Sequence, residues 1–329
     1  MKKLIDSHLK RKFLYFLIII VLFCSCSGKK ELKSHVLPVG ESYLEVPGGK
    51  IWYKITGTGQ GIPVVLLHGG PGFSSFYLKP FDDLGSDRQV IRYDQLGGGK
   101  SDRIEDTTMF TIDHFVNELE VLRKHLGVEK WHLFGHSWGT ILGIEYYKVY
   151  PERVASLTLG SAALDISLWE KHAKELLATL PESMQQDVKN AEAEGNYGDS
   201  LYQAALNQFY SLYVWRNPVM EDLDSTFSTV NEGIYMYMQG PSEFTITGTL
   251  KHYDATPFLP KVKVPTLFTV GEFDEAGPEI IKSYADKVAD SRYVVLPGAA
   301  HITSWDARDE NVKVVREFLN SVDSQKNGN

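Results

Sequence analysis

Ser137 lies within the sequence Gly-His-Ser-Trp-Gly, between a short β-type run, 131–134, and a helical pattern, 140–150. A serine at such a strand-to-helix turn is held in a strained backbone conformation, and its hydroxyl projects from the end of the sheet. Both flanking glycines are needed because a Cβ at either position would crowd the neighbouring strand or helix. The pattern predicts a nucleophile elbow with Ser137 as the nucleophile.

The two other groups that a serine nucleophile requires follow in the chain order Ser, Asp, His. Asp274 comes after the apolar run 264–270, and His301 comes after the run 293–296 and a loop of small residues. A serine hydroxyl needs an imidazole within hydrogen-bond reach, and the imidazole needs a carboxylate that fixes its tautomer and stabilises its cation. We therefore predict Asp274 as the acid and His301 as the base.

Two other aspartates compete with Asp274. Asp94 also ends a strand-like run, but it precedes the serine, so we interpret it as a structural carboxylate that binds loop amides. Asp306 is the other alternative, because it follows the histidine closely. Of the ten histidines, only His301 follows the last predicted strand; three others lie near the predicted site, namely His68, His132 and His136.

A serine hydrolase also needs two amide donors for the negative oxygen of its tetrahedral intermediate. One is the amide of the residue after the nucleophile, Trp138. The other is expected after an early strand, and the apolar run 63–67 leads into the glycine-rich sequence H-G-G-P-G at 68–72. We predict Gly70 as this second donor, with Gly69 as the alternative.

Other chemistries fit the sequence poorly. The glycines before Lys100 and Ser101 suggest a phosphate loop, but the first glycine of that motif would fall on Asp94. His, Cys, Asp and Glu show no metal-ligand spacing, so we expect neither a metal nor a cofactor. The formal net charge of -8 makes nucleic acid a poor partner.

The N-terminal segment is typical of an export signal. Several lysines and an arginine precede a short apolar run, 13–23, which suits a secretory signal and is short for a bilayer span. Cys26 follows a small residue after this run and resembles the lipidated cysteine of a bacterial lipoprotein, although Phe23 stands where such sites usually carry an aliphatic residue. An uncleaved anchor and a plain signal peptide are the alternatives.

We accordingly predict a lipoprotein-type signal peptide over residues 1–26, ending at Cys26, and a tether over 27–38. The protein is then expected to be exported and bound to a bacterial membrane through a lipid anchor, on the periplasmic or cell-surface side. The sequence indicates no oligomeric state.

Strand and helix patterns alternate through the body of the chain, and this predicts an α/β fold with a doubly wound, mostly parallel sheet. The alternation stops after Ser161, and the pattern becomes helical, which indicates an inserted helical cap. The predicted domain limits are 39–163 for the first part of the core, 164–250 for the cap and 251–325 for the second part of the core.

Taken together, these motifs resemble the prolyl iminopeptidase family, serine aminopeptidases of the α/β-hydrolase fold with a helical cap. The resemblance covers most of the chain after residue 38, and its clearest motifs lie at 68–72, 94–97, 135–139, 240–244 and 298–301. The combination of H-G-G-P-G with G-P-S-E-F at 240–244 is specific, whereas either motif alone would not be.

The resemblance implies a serine aminopeptidase that releases an N-terminal residue, with proline expected, from short peptides through an acyl-enzyme on Ser137. It also implies that Glu243 and Glu275 bind the free amino terminus and that Tyr235 adds a hydrogen bond. The alternative for both glutamates is that they are solvated loop acids. The alternatives for the protein are a carboxylesterase or amidase with the same triad and no free-amine requirement, and a non-catalytic surface-binding lipoprotein.

Three aromatic residues of the predicted cap have two open interpretations. They either line an apolar pocket for a proline ring or belong to the core of the cap; the three are Trp215, Tyr237 and Phe244.

Overall fold

A β-sheet of eight strands lies at the centre of the computed structural model, which describes residues 36–217 and 220–327. The spatial order of the strands is β1-β2-β4-β3-β5-β6-β7-β8. Their bounds are β1 Gly40–Val46, β2 Gly49–Thr56, β3 Gly61–Leu67, β4 Arg88–Tyr93, β5 Trp131–His136, β6 Val154–Gly160, β7 Thr266–Gly271 and β8 Ser291–Leu296. β2 pairs antiparallel with β1 and β4, and the remaining pairs are parallel.

The inner strands β4, β5, β6 and β7 are buried along their whole length. Parallel strands need long crossover connections, and the crossing helices cover both faces of the sheet, so these strands are rich in apolar residues rather than alternating. The antiparallel hairpin β1–β2 closes one edge, and β1 is exposed along most of its length.

Among the described residues, five α-helices belong to the core, and five other α-helices lie between β6 and β7. The core helices are α1 Ile112–His125, α2 Trp138–Val149, α8 Pro278–Ala285, α9 Thr303–Asp306 and α10 Arg308–Asn327 within the described residues. In α1 the Thr111 side chain caps the first turn by accepting from the amide of His114, at 3.2 Å. Gly127, with φ +65°, ends the same helix in the left-handed conformation.

The helices between β6 and β7 are α3 Ile166–Leu177, α4 Glu182–Glu194, α5 Ser200–Tyr213, α6 Met220–Phe227 and α7 Glu232–Met238. Asp165, Asp199 and Asn231 cap three of them through their side chains. The predicted fold class is therefore confirmed: a mostly parallel α/β-hydrolase sheet with a helical insertion. The predicted limits of the domains are not tested and stay predictions.

The predicted signal peptide, Cys26 and most of the predicted tether lie outside the described residues. In the part of the chain that the structure describes, no helix is long and apolar enough to cross a membrane.

The sheet topology brings four loops to one edge. β3, β5, β7 and β8 run parallel, so the loops that follow them all leave at the carboxyl edge of the sheet, where α/β folds place their sites. These loops carry the H-G-G-P-G sequence, Ser137, Asp274 and His301.

Candidate active site

Ser137 has the backbone conformation of a strained turn between β5 and α2. Its φ is +55° and its ψ is −124°, values that a residue with a Cβ rarely adopts. A Cβ on Gly135 would lie 2.3 Å from the carbonyl oxygen of Gly139, and a Cβ on Gly139 would lie 2.1 Å from that of Leu67. Only glycine fits at either position, because backbone atoms cannot give way as a flexible side chain does.

Asp274 and His301 form the ion-pair geometry expected of an acid and a base. His301 Nδ1 lies 2.9 Å from Asp274 Oδ1. Burial by itself raises the pKa of Asp274, but the charge of His301 and the hydrogen bonds from His301 and Ser161 outweigh it, so the pKa is held below its usual value. Asp274 is therefore a stable buried carboxylate at neutral pH.

Ser161 is a site residue that the sequence reasoning missed. Its hydroxyl donates to Asp274 Oδ2 at 2.6 Å, and its backbone has φ +49°. The amides of Ala276 and Gly271 also donate to this carboxylate, at 2.9 and 3.2 Å. The available signal was a polar residue directly after β6, the strand that lies between the elbow strand β5 and the acid strand β7.

The structure distinguishes between the two candidates for the second oxyanion donor. The amide of Gly69 donates to Tyr77 Oη at 2.6 Å, so it is already used. The amide of Gly70 donates to no described residue, and Gly70 has φ +112°. Trp138 is the first residue of α2, and its amide has no acceptor in a preceding turn. Gly70 and Trp138 therefore present free amides near Ser137.

His68 orients the peptide that carries the Gly70 amide. Its Nε2 accepts from the amide of Gln95 at 3.0 Å, so its Nδ1 carries the proton and donates to the carbonyl of Gly69 at 2.8 Å. Burial lowers the pKa of His68 and keeps it neutral. Because the amide of Gly70 points opposite to this carbonyl across a trans peptide, fixing one fixes the other. Gln95 Oε1 also accepts from the indole of Trp138 at 2.8 Å.

The competing aspartates have other partners. Asp94 accepts from the amide and hydroxyl of Ser75, both at 2.7 Å, and from the amide of Lys100 at 2.9 Å, so it binds loop amides. Asp306 accepts from three amides, those of Arg216, Asn217 and Ala300, and makes no contact of this kind with the His301 ring. Among the described residues, no group of three or more His, Cys, Asp or Glu could hold a metal ion.

Ser137 lies between two cavities. The larger, of about 440 Å³ including some open solvent, is also lined by His301 and Glu243 and by an aromatic wall: Phe73, Tyr77, Tyr210, Trp215 and Phe227. The smaller, of about 250 Å³, is lined by Trp138 and Trp169 among others. Gly70, Ser137 and Glu243 border both cavities, so a substrate bound across Ser137 has space on either side of the scissile bond.

The two predicted amine-binding glutamates differ in their surroundings. Glu243 is half-buried, and it accepts from Tyr235 Oη at 2.6 Å and from Gln239 Nε2 at 3.2 Å. Glu275 is fully buried, and neither of its oxygens has a hydrogen-bond partner among the described residues. No lysine or arginine in the described ranges forms an ion pair with either glutamate, and His301 Nε2 lies 4.0 Å from Glu275 Oε1.

Burial is the main cause of the raised pKa of both glutamates. It raises the pKa of Glu243, and it raises the pKa of Glu275 well above the usual value, where the carboxylates of Glu243 and Asp274 add to the effect. The interpretation of these glutamates as solvated loop acids is not compatible with this burial. A positive charge placed between them would relieve both effects.

The three aromatic residues with open interpretations lie in three different environments. Trp215 lines the larger cavity. Phe244 is fully buried and packs against Phe209 and Tyr202, so it belongs to the core of the cap. Tyr237 is exposed and touches Phe110 instead of the cavity.

Comparison with known proteins places this geometry in a family. Residues 62–307 match the model of the alpha/beta hydrolase fold. The proline iminopeptidase of Heyndrickxia coagulans is 39% identical over 287 residues, which is 86% of this chain and 99% of that protein. The crystal structure of the proline iminopeptidase of Mycobacterium smegmatis superposes with a TM-score of 0.80 at 30% identity, covering 87% of this chain and 100% of that one. The structure of VinJ superposes with a TM-score of 0.83 at 32% identity, over 87% and 99%.

Proposed function

Because the chain belongs to the proline iminopeptidase family of α/β-hydrolases, we propose that it is a serine aminopeptidase that releases N-terminal proline from short peptides. The observation that carries the proposal is the environment of Glu275. This fully buried carboxyl group has no hydrogen-bond partner among the described residues, and Glu243, Asp274 and His301 lie near it. A site of this kind is costly unless it binds a cation.

The proposed catalytic sequence uses the groups that the loops bring to the carboxyl edge of the sheet. Ser137 attacks the carbonyl carbon of the first residue while His301 takes the hydroxyl proton, and Asp274 stabilises the resulting imidazolium. The amides of Gly70 and Trp138 bind the oxyanion. His301 then returns the proton to the leaving amine, so that the C–N bond breaks and an acyl-enzyme remains on Ser137. Water, deprotonated by His301, then attacks the acyl carbon, and His301 returns this proton to Ser137 Oγ as the free amino acid leaves.

Recognition of the amino terminus limits this chemistry to the first bond of a peptide. A protonated N-terminal proline carries two N–H groups, and Glu243 and Glu275 offer one carboxylate to each. Tyr235 holds Glu243 through a 2.6 Å hydrogen bond. An acylated N-terminal proline would place a nitrogen with neither a positive charge nor an N–H against two buried carboxyl groups, and we expect the site to reject it because neither group would gain a partner.

The test compares four substrates with purified protein: proline β-naphthylamide, its N-acetylated form, alanine β-naphthylamide and a p-nitrophenyl ester. We expect turnover of the free-amine amides, fastest with proline, and none above background in Ser137→Ala. Equal turnover of the acetylated amide would contradict the proposed specificity and indicate an amidase. Turnover of the ester alone would indicate a carboxylesterase, and failure of a fluorophosphonate to label Ser137 would indicate a non-catalytic binding protein.

We further propose that the protein is exported and acylated at Cys26, on the basis of the basic segment, the short apolar run and the cysteine that follows it. Metabolic labelling with palmitate tests this proposal. The full chain and Cys24→Ser should incorporate the label and fractionate with membranes, whereas Cys26→Ser should do neither. Label in Cys26→Ser, or unlabelled full chain in the soluble fraction, would contradict acylation at this position.

A further inference from the structure

Two side chains connect the oxyanion loop to the loop of the catalytic base, and the catalytic sequence above does not use them. Tyr77 Oη accepts from the amide of Gly69 at 2.6 Å and lies 2.9 Å from His136 Nδ1. His136 Nε2 lies 2.9 Å from the carbonyl oxygen of His301. Three hydrogen bonds therefore run from one loop to the other through His136, the residue that precedes Ser137.

The donor and the acceptor of each of these hydrogen bonds follow from the chemistry of the groups. The carbonyl of His301 can only accept, so His136 Nε2 carries the proton and Nδ1 is left as an acceptor. Tyr77 already accepts from Gly69, and it donates its own proton to this Nδ1. Burial and the nearby charge of His301 lower the pKa of His136 to about 3, so the neutral ring is the stable form.

Gly69 needs such a partner because glycine has more backbone freedom than any other residue type. His68 fixes its carbonyl, and Tyr77 fixes its amide, so both peptide planes around Gly69 are held. The position of the Gly70 amide depends on these two planes. At the other end, the ring of His136 lies 4.8 Å from the ring of His301, centroid to centroid, and bonds to its backbone.

We propose that Tyr77 and His136 are positioning residues for catalysis, which hold the Gly70 amide and the His301 loop in register with Ser137. Neither residue exchanges a proton with the substrate. Their effect is on the transition state, because an oxyanion donor or a base that is displaced by a fraction of an ångström stabilises it less. The proposal rests on the proposed serine hydrolase chemistry but not on its preference for proline.

Tyr77→Phe is the first test, because it removes the hydroxyl and keeps the ring. We expect a fall of roughly tenfold to a hundredfold in kcat, with KM little changed. Tyr146→Phe is the matched control: Tyr146 is also fully buried, and its hydroxyl donates to Glu120 at 2.8 Å in the core. This control should lower the melting temperature and leave kcat unchanged. Equal kcat values for the two variants would overturn the proposal.

A transition-state mimic separates positioning from a general loss of structure. Prolineboronic acid forms a tetrahedral adduct on serine, whereas free proline binds only as a product. Tyr77→Phe should weaken the boronic acid by about the same factor as kcat/KM and leave the affinity for proline unchanged. Equal weakening of both ligands would overturn the proposal. The rate of Ser137 labelling by a fluorophosphonate gives the same comparison without a peptide substrate, so the test stands even if no aminopeptidase activity is found.

Two variants of His136 test its hydrogen bonds to Tyr77 and to the His301 carbonyl separately. In His136→Asn the side-chain oxygen replaces Nδ1 and keeps the bond from Tyr77, whereas in His136→Gln the amide nitrogen replaces Nε2 and keeps the bond to the His301 carbonyl. We expect His136→Gln to reproduce the loss of boronic acid affinity seen in Tyr77→Phe. His136→Asn should retain that affinity and instead move the acid limb of the kcat/KM profile. Identical behaviour of the two variants would overturn the proposal.

Discussion

Asp274 and Glu275 are neighbours in sequence and both are buried, yet their surroundings shift their acidity in opposite directions. Asp274 accepts from His301, from Ser161 and from two backbone amides, and its pKa is lowered. Glu275 has no hydrogen-bond partner among the described residues, and its pKa is raised well above the usual value. The Asp274 side chain is surrounded by donors, whereas the carboxylates of Glu243 and Asp274 add to the effect of burial on Glu275.

This difference shows which charge the protein stabilises by itself. The charge of Asp274 is compensated in the folded chain, as a group that must stay ionised through a catalytic cycle requires. Glu275 has no such compensation, and under our proposal it ionises when the substrate's amino terminus binds between it and Glu243. Asp274 is thus ionised throughout the catalytic cycle, whereas Glu275 has its role only when substrate is bound.

Asp274→Asn should have the largest effect. The amide cannot hold the reactive tautomer of His301 or stabilise its cation, so we expect kcat to fall by a factor on the order of 10⁴. The loss should be the same for proline β-naphthylamide and for any ester that the enzyme turns over, because both reactions need the base. Retained ester turnover would show that another carboxylate serves His301.

Glu275→Gln and Glu243→Gln should come next and should depend on the substrate. Removing one carboxylate leaves the ammonium incompletely paired, and we expect kcat/KM for proline β-naphthylamide to fall roughly 30-fold or more. Fluorophosphonate labelling of Ser137 should be little changed. Glu279→Gln changes an exposed glutamate in the first turn of α8, and this control should behave as wild type. A parallel loss of labelling in Glu275→Gln would assign that residue to the catalytic machinery instead.

Ser161→Ala should have a smaller effect on every substrate. It removes one charge-assisted hydrogen bond to Asp274, and bonds of this kind contribute about 1.5–3 kcal/mol, so we expect roughly a tenfold or greater loss in kcat. Ser156 offers a matched control, because it is a buried serine on β6, the strand that Ser161 follows, and its hydroxyl lies 2.7 Å from His132 Nδ1. If Ser156→Ala lowered kcat as much as Ser161→Ala, the effect would be one of folding.

The smallest expected effect is on stability. A carboxyl whose folded pKa is raised keeps its proton when the unfolded chain loses it, so Glu275 destabilises the fold progressively as pH rises above the ordinary value of 4.5. Glu275→Gln removes this titration. The melting temperature of the variant minus that of wild type should therefore increase by a few degrees between about pH 4.5 and pH 8. A constant difference over this range would contradict the raised pKa.

Asp274 shows the opposite dependence. Its folded pKa is lowered, so its contribution to stability is present above the ordinary pKa of an aspartate and is lost as pH falls through the folded value. Melting curves of Asp274→Asn and wild type should therefore converge in acid, where the wild-type carboxyl is protonated as well.

Local sequence patterns were sufficient to predict the strands, the helices and the order of the catalytic groups. Strand and helix periodicity are local properties, and the positions of Ser137, Asp274 and His301 at the ends of apolar runs follow from them. The need for Gly135 and Gly139 was also predictable, because few residue types fit a tight strand-to-helix turn. The predicted lipidation at Cys26 lies outside the described residues and stays a prediction.

The remaining features of the site depend on contacts between residues that are distant in the chain. Gly69 and Gly70 are equivalent in sequence, and Gly70 is distinguished by the hydroxyl of Tyr77, which occupies the amide of Gly69. Ser161 and His136 contact residues more than a hundred positions away in the chain. The opposite acidities of Asp274 and Glu275 depend on which groups surround each carboxylate. Burial, partner and direction are properties of the packed fold, and residue type and spacing do not encode them locally.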